Sequence, residues 1–94
     1  MPATKIEKMV VCVKVEAMTS FWRYNRYNHR RELNWCITMS HLGDPDADKL
    51  VTFTNGKFSV AVAEGDTVTV ECRHKRYQEY NGNFQEVVTH CKVV

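Results

Sequence analysis

The sequence predicts a single small all-β domain, a closed barrel or compact sandwich of five to six strands with little or no helix. Three observations predict it. Apolar residues recur at every second position through most of the 94 residues, the spacing of half-buried strands. Turn signals built from Gly, Asn, Asp and Pro interrupt these runs at short intervals. No stretch long enough for a regular helix carries apolar residues at the three-to-four spacing a helix needs. At this length the chain, residues 1–94, supports one hydrophobic core and not two.

The first run places Met9, Val11, Val13, Val15 and Ala17 on one face, opposite Lys8, Lys14 and Glu16, with Val10 and Cys12 as apolar exceptions midway. A strand apolar on both faces at its middle is expected to be covered on both sides. Residues 20–31 break the alternation and read as a long loop. The next run sets Leu33, Trp35, Ile37 and Met39 on one face, with Trp35 assigned to the core in preference to a binding surface, and Gly43-Asp44-Pro45-Asp46 closes it. Leu50 to Thr54 is a short strand. Asn55-Gly56 signals a two-residue hairpin, whose central positions need positive φ, and leads to a further run with Phe58, Val60 and Val62 in phase. A single helical turn near Val60–Gly65 is the only helix candidate, and its β-branched valines argue against it. Glu64-Gly65-Asp66 is another turn. A long strand then begins with Val68, Val70 and Cys72 and becomes polar at His74, Arg76 and Gln78. Asn81-Gly82 makes a second hairpin, and the last strand carries Val87, Cys91 and Val93 in phase.

The net charge of +2 names no partner by itself. Its distribution is more informative. Residues 20–31 and 73–76 hold seven of the thirteen Lys and Arg residues and none of the eleven Asp and Glu residues, so the rest of the chain is net acidic. Cations concentrated in this way are the electrostatic footprint of a polyanion binder. No run of about 20 apolar residues is present to span a membrane as a helix. Met1-Pro2-Ala3-Thr4-Lys5 lacks the apolar region of a signal peptide, which gives an intracellular, cytoplasmic expectation. Cys12, Cys36, Cys72 and Cys91 are widely spaced, and free thiols are expected in that compartment.

The chemistry concentrates in Ser20-Phe21-Trp22-Arg23-Tyr24-Asn25-Arg26-Tyr27-Asn28-His29-Arg30-Arg31. Aromatic rings alternate there with guanidinium groups, which resist burial. Rings stack on bases, and arginines meet phosphates or stack as planes themselves. The asparagines offer donors to base edges or phosphates. The structural alternative is an exposed hairpin whose Phe21 and Trp22 cap the barrel end. A second patch runs from Arg73 through Lys75, Arg76, Tyr77 and Tyr80 to Phe84, for which cross-strand packing is the alternative. Seven of the ten aromatic residues fall in these two patches, leaving Trp35, Phe53 and Phe58 to the core.

The candidate interface is therefore Phe21, Trp22, Arg23, Tyr24, Arg26, Tyr27, Arg30, Arg31, Arg73, Lys75, Arg76, Tyr77 and Tyr80. The Arg and Lys side chains would neutralise phosphates and the rings would stack bases, with little sequence preference because every base has a π-face. The expected partner is single-stranded DNA, with RNA as a variant. The alternative partner is a protein, since a Tyr-, Trp- and Arg-rich surface also makes a protein hot spot. The apolar first and last strands offer pairing to a second copy of the chain.

Other chemistries find little support. Cys72-x-His74 and His90-Cys91 match no common zinc spacing. Asp44, Asp46 and Asp48 alternate as in a calcium loop, but the sixth-position Gly and twelfth-position Glu are missing. No phosphate-cradling glycine loop and no acid/base or nucleophile arrangement is recognisable. No metal, no cofactor and no enzymatic activity is expected.

The order of these elements resembles the OB-fold of single-stranded-DNA-binding proteins. The resemblance spans nearly the whole chain. It is carried by a basic-aromatic segment followed by a Trp-bearing strand (Asn34-Trp35-Cys36-Ile37), by Phe53-Thr54-Asn55-Gly56-Lys57-Phe58 followed by Glu64-Gly65-Asp66-Thr67-Val68-Thr69-Val70-Glu71, and by a terminal hairpin around Arg76, Tyr80 and Gly82. It implies a groove on the sheet face, flanked by the loops after the first and fourth strands, which is where both patches lie. Two departures stand out. The segment between the third and fourth strands reads as too short and too β-branched for the helix many OB-folds carry. The chain ends Cys91-Lys92-Val93-Val94, without the acidic, Gly/Pro-rich tail of bacterial members. A compact viral or plasmid-borne version fits that pattern.

Overall fold

The computed structural model describes residues 8–94, so the signal-peptide reading of Met1–Lys5 lies outside the described residues. Five strands, β1 (Lys8–Asn25), β2 (Arg30–His41), β3 (Lys49–Thr54), β4 (Thr67–Tyr80) and β5 (Asn83–Val93), and one short helix, α1 (Lys57–Ala61), form the fold. The strands close into a barrel in the order β1-β2-β3-β5-β4, the small all-β barrel the alternation predicts. All neighbours are antiparallel except β3 and β5, which run parallel.

One long strand closes the barrel. The first half of β1 pairs with β4 (Lys8↔Arg73 to Lys14↔Thr67), and the second half pairs with β2 (Val13↔His41 to Asn25↔Arg30). Between them the register slips, with Val15 opposite Met39 and Ala17 opposite Thr38, which makes Glu16 the extra residue of a β-bulge. A bulge bends its strand and breaks the local ladder. The loop before β4 repairs the ladder: Val15 N donates to Asp66 O at 2.8 Å, Gly65 N to Val15 O at 2.7 Å, and Met18 N to Glu64 Oε1 at 2.8 Å. Gly65 has φ +89 in this close approach, a conformation that favours glycine. The Glu16 carboxylate meets Lys49 Nζ at 2.6 Å. That bond and a second from Ser40 hold it below the usual carboxylate range.

The bulge also resets the alternation. Val13 and Val15 point into the core, but the next inward residue is Met18, and Ala17 is exposed. Ala17 therefore does not continue the face of Met9–Val15. The expected double cover of β1 also fails: Val10 is 63% exposed and Cys12 is exposed, because the outer face of this part of the sheet is open.

The core is aliphatic. Val13, Val15, Ile37, Met39, Leu50, Val70, Cys72 and Val88 form one buried cluster with Phe58 and Val62, and half-buried Trp35 packs against it. Phe53 departs from the core assignment. Leu50 and Thr52 take the inward positions of β3, so Phe53 faces outward and is 44% exposed. Leu33, expected in phase with the core, lies beyond the barrel rim and is exposed. Cys72 is fully buried and shares a hydrogen bond with Cys91, which together with burial pushes its thiol up. All four cysteines are free thiols, and Cys12 is exposed. Since alkylation needs an accessible thiolate, Cys12 is expected to react with iodoacetamide in the native state while Cys72 reacts only after unfolding. Mass mapping of the labelled peptides checks this, and native labelling of Cys72 would contradict its burial.

Asn55-Gly56 is not a hairpin, and residues 58–62 are not a strand. Both edges of β3 are already taken, by β2 and by parallel β5, so the chain leaving it cannot fold back as a neighbour and must cross over. Gly56 has φ −99 at the helix N-cap, and its carbonyl accepts from Ser59 N at 3.2 Å and Ser59 Oγ at 2.7 Å. The turn is helical because Phe58 and Val62, four residues apart, both enter the core while Val60 is 86% exposed. The helix expected to be absent is therefore present between the third and fourth strands. Asn81-Gly82 does make the predicted hairpin: Asn81 has φ 50 and Gly82 φ 80, between paired Tyr80 and Asn83.

Candidate nucleic-acid interface

Residues 20–31 are mostly not a loop. β1 runs to Asn25 and β2 starts at Arg30, so the basic-aromatic segment forms the far half of a β-hairpin arm that extends beyond the barrel. Aromatic and β-branched residues suit such a ladder, with Phe21 on one face and Trp22 and Tyr24 in phase on the other. The β4–β5 hairpin makes a second arm.

After the bulge at Glu16, odd-numbered residues of β1 face outward. Phe21 lies opposite Asn34, Arg23 opposite Glu32, and Cys36 opposite Phe53. These pairs line the outer sheet face. Phe21 and Phe53 meet edge to face, with centroids 6.3 Å apart and planes at 80°. On the second arm His74 pairs with Val88 and Arg76 with Val87, so Lys75 is the extra residue of another bulge. In a regular strand, adjacent side chains point to opposite faces. Across this bulge Lys75 and Arg76 both border the same cleft.

The two arms enclose a cleft of about 420 Å³ lined by Phe21, Arg23, Lys75 and Arg76 and floored by Phe53 and Val87. A second cavity of about 690 Å³ adjoins it, sharing Arg23 and Phe53 and continuing to Tyr24, Arg26 and Tyr27 at the tip of the first arm. Together they make one track. Seven of the sequence-predicted residues border it: Phe21, Arg23, Tyr24, Arg26, Tyr27, Lys75 and Arg76.

The other six do not line either cavity. Trp22, 67% exposed, pairs with Leu33 on the opposite face of the first arm, and Arg31 shares that face. Arg30 shares the strand face of Glu32 near the tip. Arg73 is half-buried at the root of the second arm, in register with Lys8 and Thr89. Tyr77 turns away from Arg76 and packs on His74 at 4.8 Å, while His74 bonds Glu86 at 2.8 Å. Tyr80 lies farther out on the strand face of Arg76.

Sequence reasoning missed Phe53, which joins the two cavities. Leu50-Val51-Thr52-Phe53 offers bulky residues in both phases, so alternation alone does not say which face is inner. It also misread the asparagines. Asn25 Oδ1 accepts from Tyr27 N at 2.9 Å and Asn28 Oδ1 from Arg30 N at 3.0 Å, so both build the arm's tip. That turn holds the Tyr27 ring 99% exposed.

The electrostatics separate structural from available charge. Among the described residues, Lys8 and Lys92 reach Glu71 (3.6 and 3.7 Å), Lys49 reaches Glu16 and His74 reaches Glu86. None of Arg23, Arg26, Arg30, Arg31, Arg73, Lys75 and Arg76 makes an ion pair with another described residue. These features define a small closed barrel with an open, cationic, ring-lined track across one sheet face. Compared with known proteins, the chain matches no family model, and no curated protein or solved structure is significantly similar to it.

Proposed function

We propose that the chain binds single-stranded nucleic acid, in the first place DNA, along this track, as OB-fold single-stranded-DNA-binding proteins do. The observation that carries the reading is the set of cations that make no ion pair with another described residue, set beside outward-facing rings. Paired lysines serve the barrel, whereas guanidinium groups without such a partner among the described residues, next to Phe21 and Phe53, suit phosphates and stacked bases. Binding is largely sequence-tolerant and falls steeply with salt through counterion release.

The test is anisotropy of a labelled oligo-dT of about 20 nucleotides, longer than one barrel's usual site, titrated at several salt concentrations. The four track cations Arg23, Arg26, Lys75 and Arg76 predict a slope of log K against log salt of about −3, and engagement of all seven predicts about −5. Absence of binding at low salt rejects the reading. A second reading rests on the exposed Trp22 beside Leu33 on the arm's other face: an indole held in the open suits a protein hot spot. Oligonucleotide-free capture by that face is lost in Trp22→Ala.

A further inference from the structure

Glu32 is out of place in a phosphate-binding track. It is the carboxylate lining the larger cavity, opposite Arg23 in the strand register and in the same lining as Arg26, and it repels phosphate. Four asparagines fix it there. Asn25 Nδ2 and Asn28 Nδ2 donate to Oε1 at 3.1 and 3.0 Å, Asn55 Nδ2 donates to Oε2 at 3.3 Å, and Asn34 Nδ2 donates to the Glu32 backbone carbonyl at 3.3 Å. The bonds from Asn28 and Asn25 hold the carboxyl below its usual range, so it stays ionised at neutral pH.

The arrangement leaves acceptors unused on residues that line the cavity. Oε1 already takes two N–H groups and Oε2 takes one, so Oε2 retains acceptor capacity. Asn34 and Asn55 spend an N–H on Glu32, and their own carbonyl oxygens receive no donor among the described residues. Both line the same cavity. Asn34 is nearly buried, at 8% exposure, so its orientation is set by the fold. Phe53, whose ring faces outward, and Tyr24 are among the residues lining the cavity.

An ionised acceptor beside stacking rings selects a base by its donors. Guanine presents N1–H and N2–H₂ side by side on its Watson–Crick edge. Adenine and cytosine present one amino group next to a ring-nitrogen acceptor. Thymine and uracil flank their single N–H with two carbonyls, which a carboxylate repels. We propose that this cavity is a base-reading subsite that prefers guanine and disfavours thymine, with Glu32 as the specificity-determining residue. The proposal rests on the single-strand reading of the track and adds one selective position to an otherwise tolerant path.

The experiment compares alternating thymidine–guanosine and all-thymidine oligonucleotides of about 16 nucleotides, in lithium chloride to suppress guanine quartets. The intact chain is expected to bind the guanine-containing strand about tenfold tighter. In Glu32→Gln, which keeps an acceptor oxygen and loses the charge, the ratio narrows to about twofold or less and oligo-dT binding is no weaker. Replacing guanosine by inosine, which lacks only the N2 amine, probes the unmodified protein and is expected to remove several-fold of the preference. Equal affinity of the intact chain for both strands overturns the subsite while leaving the track intact, as does a preference that survives both Glu32→Gln and inosine. Failure of every oligonucleotide to bind overturns the single-strand reading itself.

Discussion

Phe53→Ala is expected to weaken oligo-dT binding by roughly ten- to a hundredfold, within the range of one lost base stack. The thermal midpoint should move by only a few degrees. Phe53 is the one ring common to both cavities, so a strand crossing from one arm to the other passes over it. Its side chain is 44% exposed and lies outside the core cluster, and its one aromatic partner is Phe21. Losing that edge-to-face contact costs about 1 kcal/mol. Trp22→Ala is the informative comparison. By residue type Trp22 is the best stacker in the segment, and the sequence alone would rank its loss first. Its position on the far face of the arm, opposite Leu33, predicts a change of about twofold or less in oligo-dT affinity. The reverse ranking, Trp22 large and Phe53 small, would move the binding surface to the other side of the arm.

This contrast marks what alternation can and cannot reveal. The barrel was legible because Val13, Val15, Ile37, Met39 and Val70 keep a strict period of two, and Asn81-Gly82 carries its own turn chemistry. The concentration of cations was legible because charge needs no phase. The faces were not legible. One inserted residue at Glu16 moves Phe21 and Arg23 from the inner to the outer side, and another at Lys75 turns two neighbouring cations into one cleft. A bulge carries no fixed residue signature, since its energy is decided by the partner strand and the patching loop. Here the patch is Glu64 and Asp66, more than forty residues downstream of the bulge. Glu32 escaped notice for a related reason. Its role depends on Asn55, on another strand's exit, and on Asn25 and Asn28 across a turn, which proximity in sequence does not single out.

Phe58→Ala is expected to lower the thermal midpoint by on the order of 15–30 °C, the consequence of losing about 3–5 kcal/mol from a buried phenyl in a domain of this size. Stabilities of small domains total about 5–15 kcal/mol, so this single change consumes a large part of the margin. The magnitude follows from position. Phe58 is 5% exposed, belongs to the core cluster, and is the only aromatic residue fully enclosed by it. It arrives there on α1, and the next inward residue, Val62, follows directly at the helix C-cap, four positions on. Val60→Ala separates this geometry from the strand that the alternation suggests. On a strand, Phe58, Val60 and Val62 would all face inward, and truncating Val60 would leave a cavity costing about 1–3 kcal/mol. On the helix Val60 is exposed, and alanine, the better helix former, is expected to be neutral or to stabilise by about 0.5 kcal/mol. Thermal melts of both variants decide the matter. A large loss in Val60→Ala would return the segment to a strand and remove the bridge by which the chain crosses from β3 to β4. With Phe58→Ala destabilising and Val60→Ala neutral, oligo-dT binding measured well below the midpoint should be unchanged in both, because neither side chain lines the track.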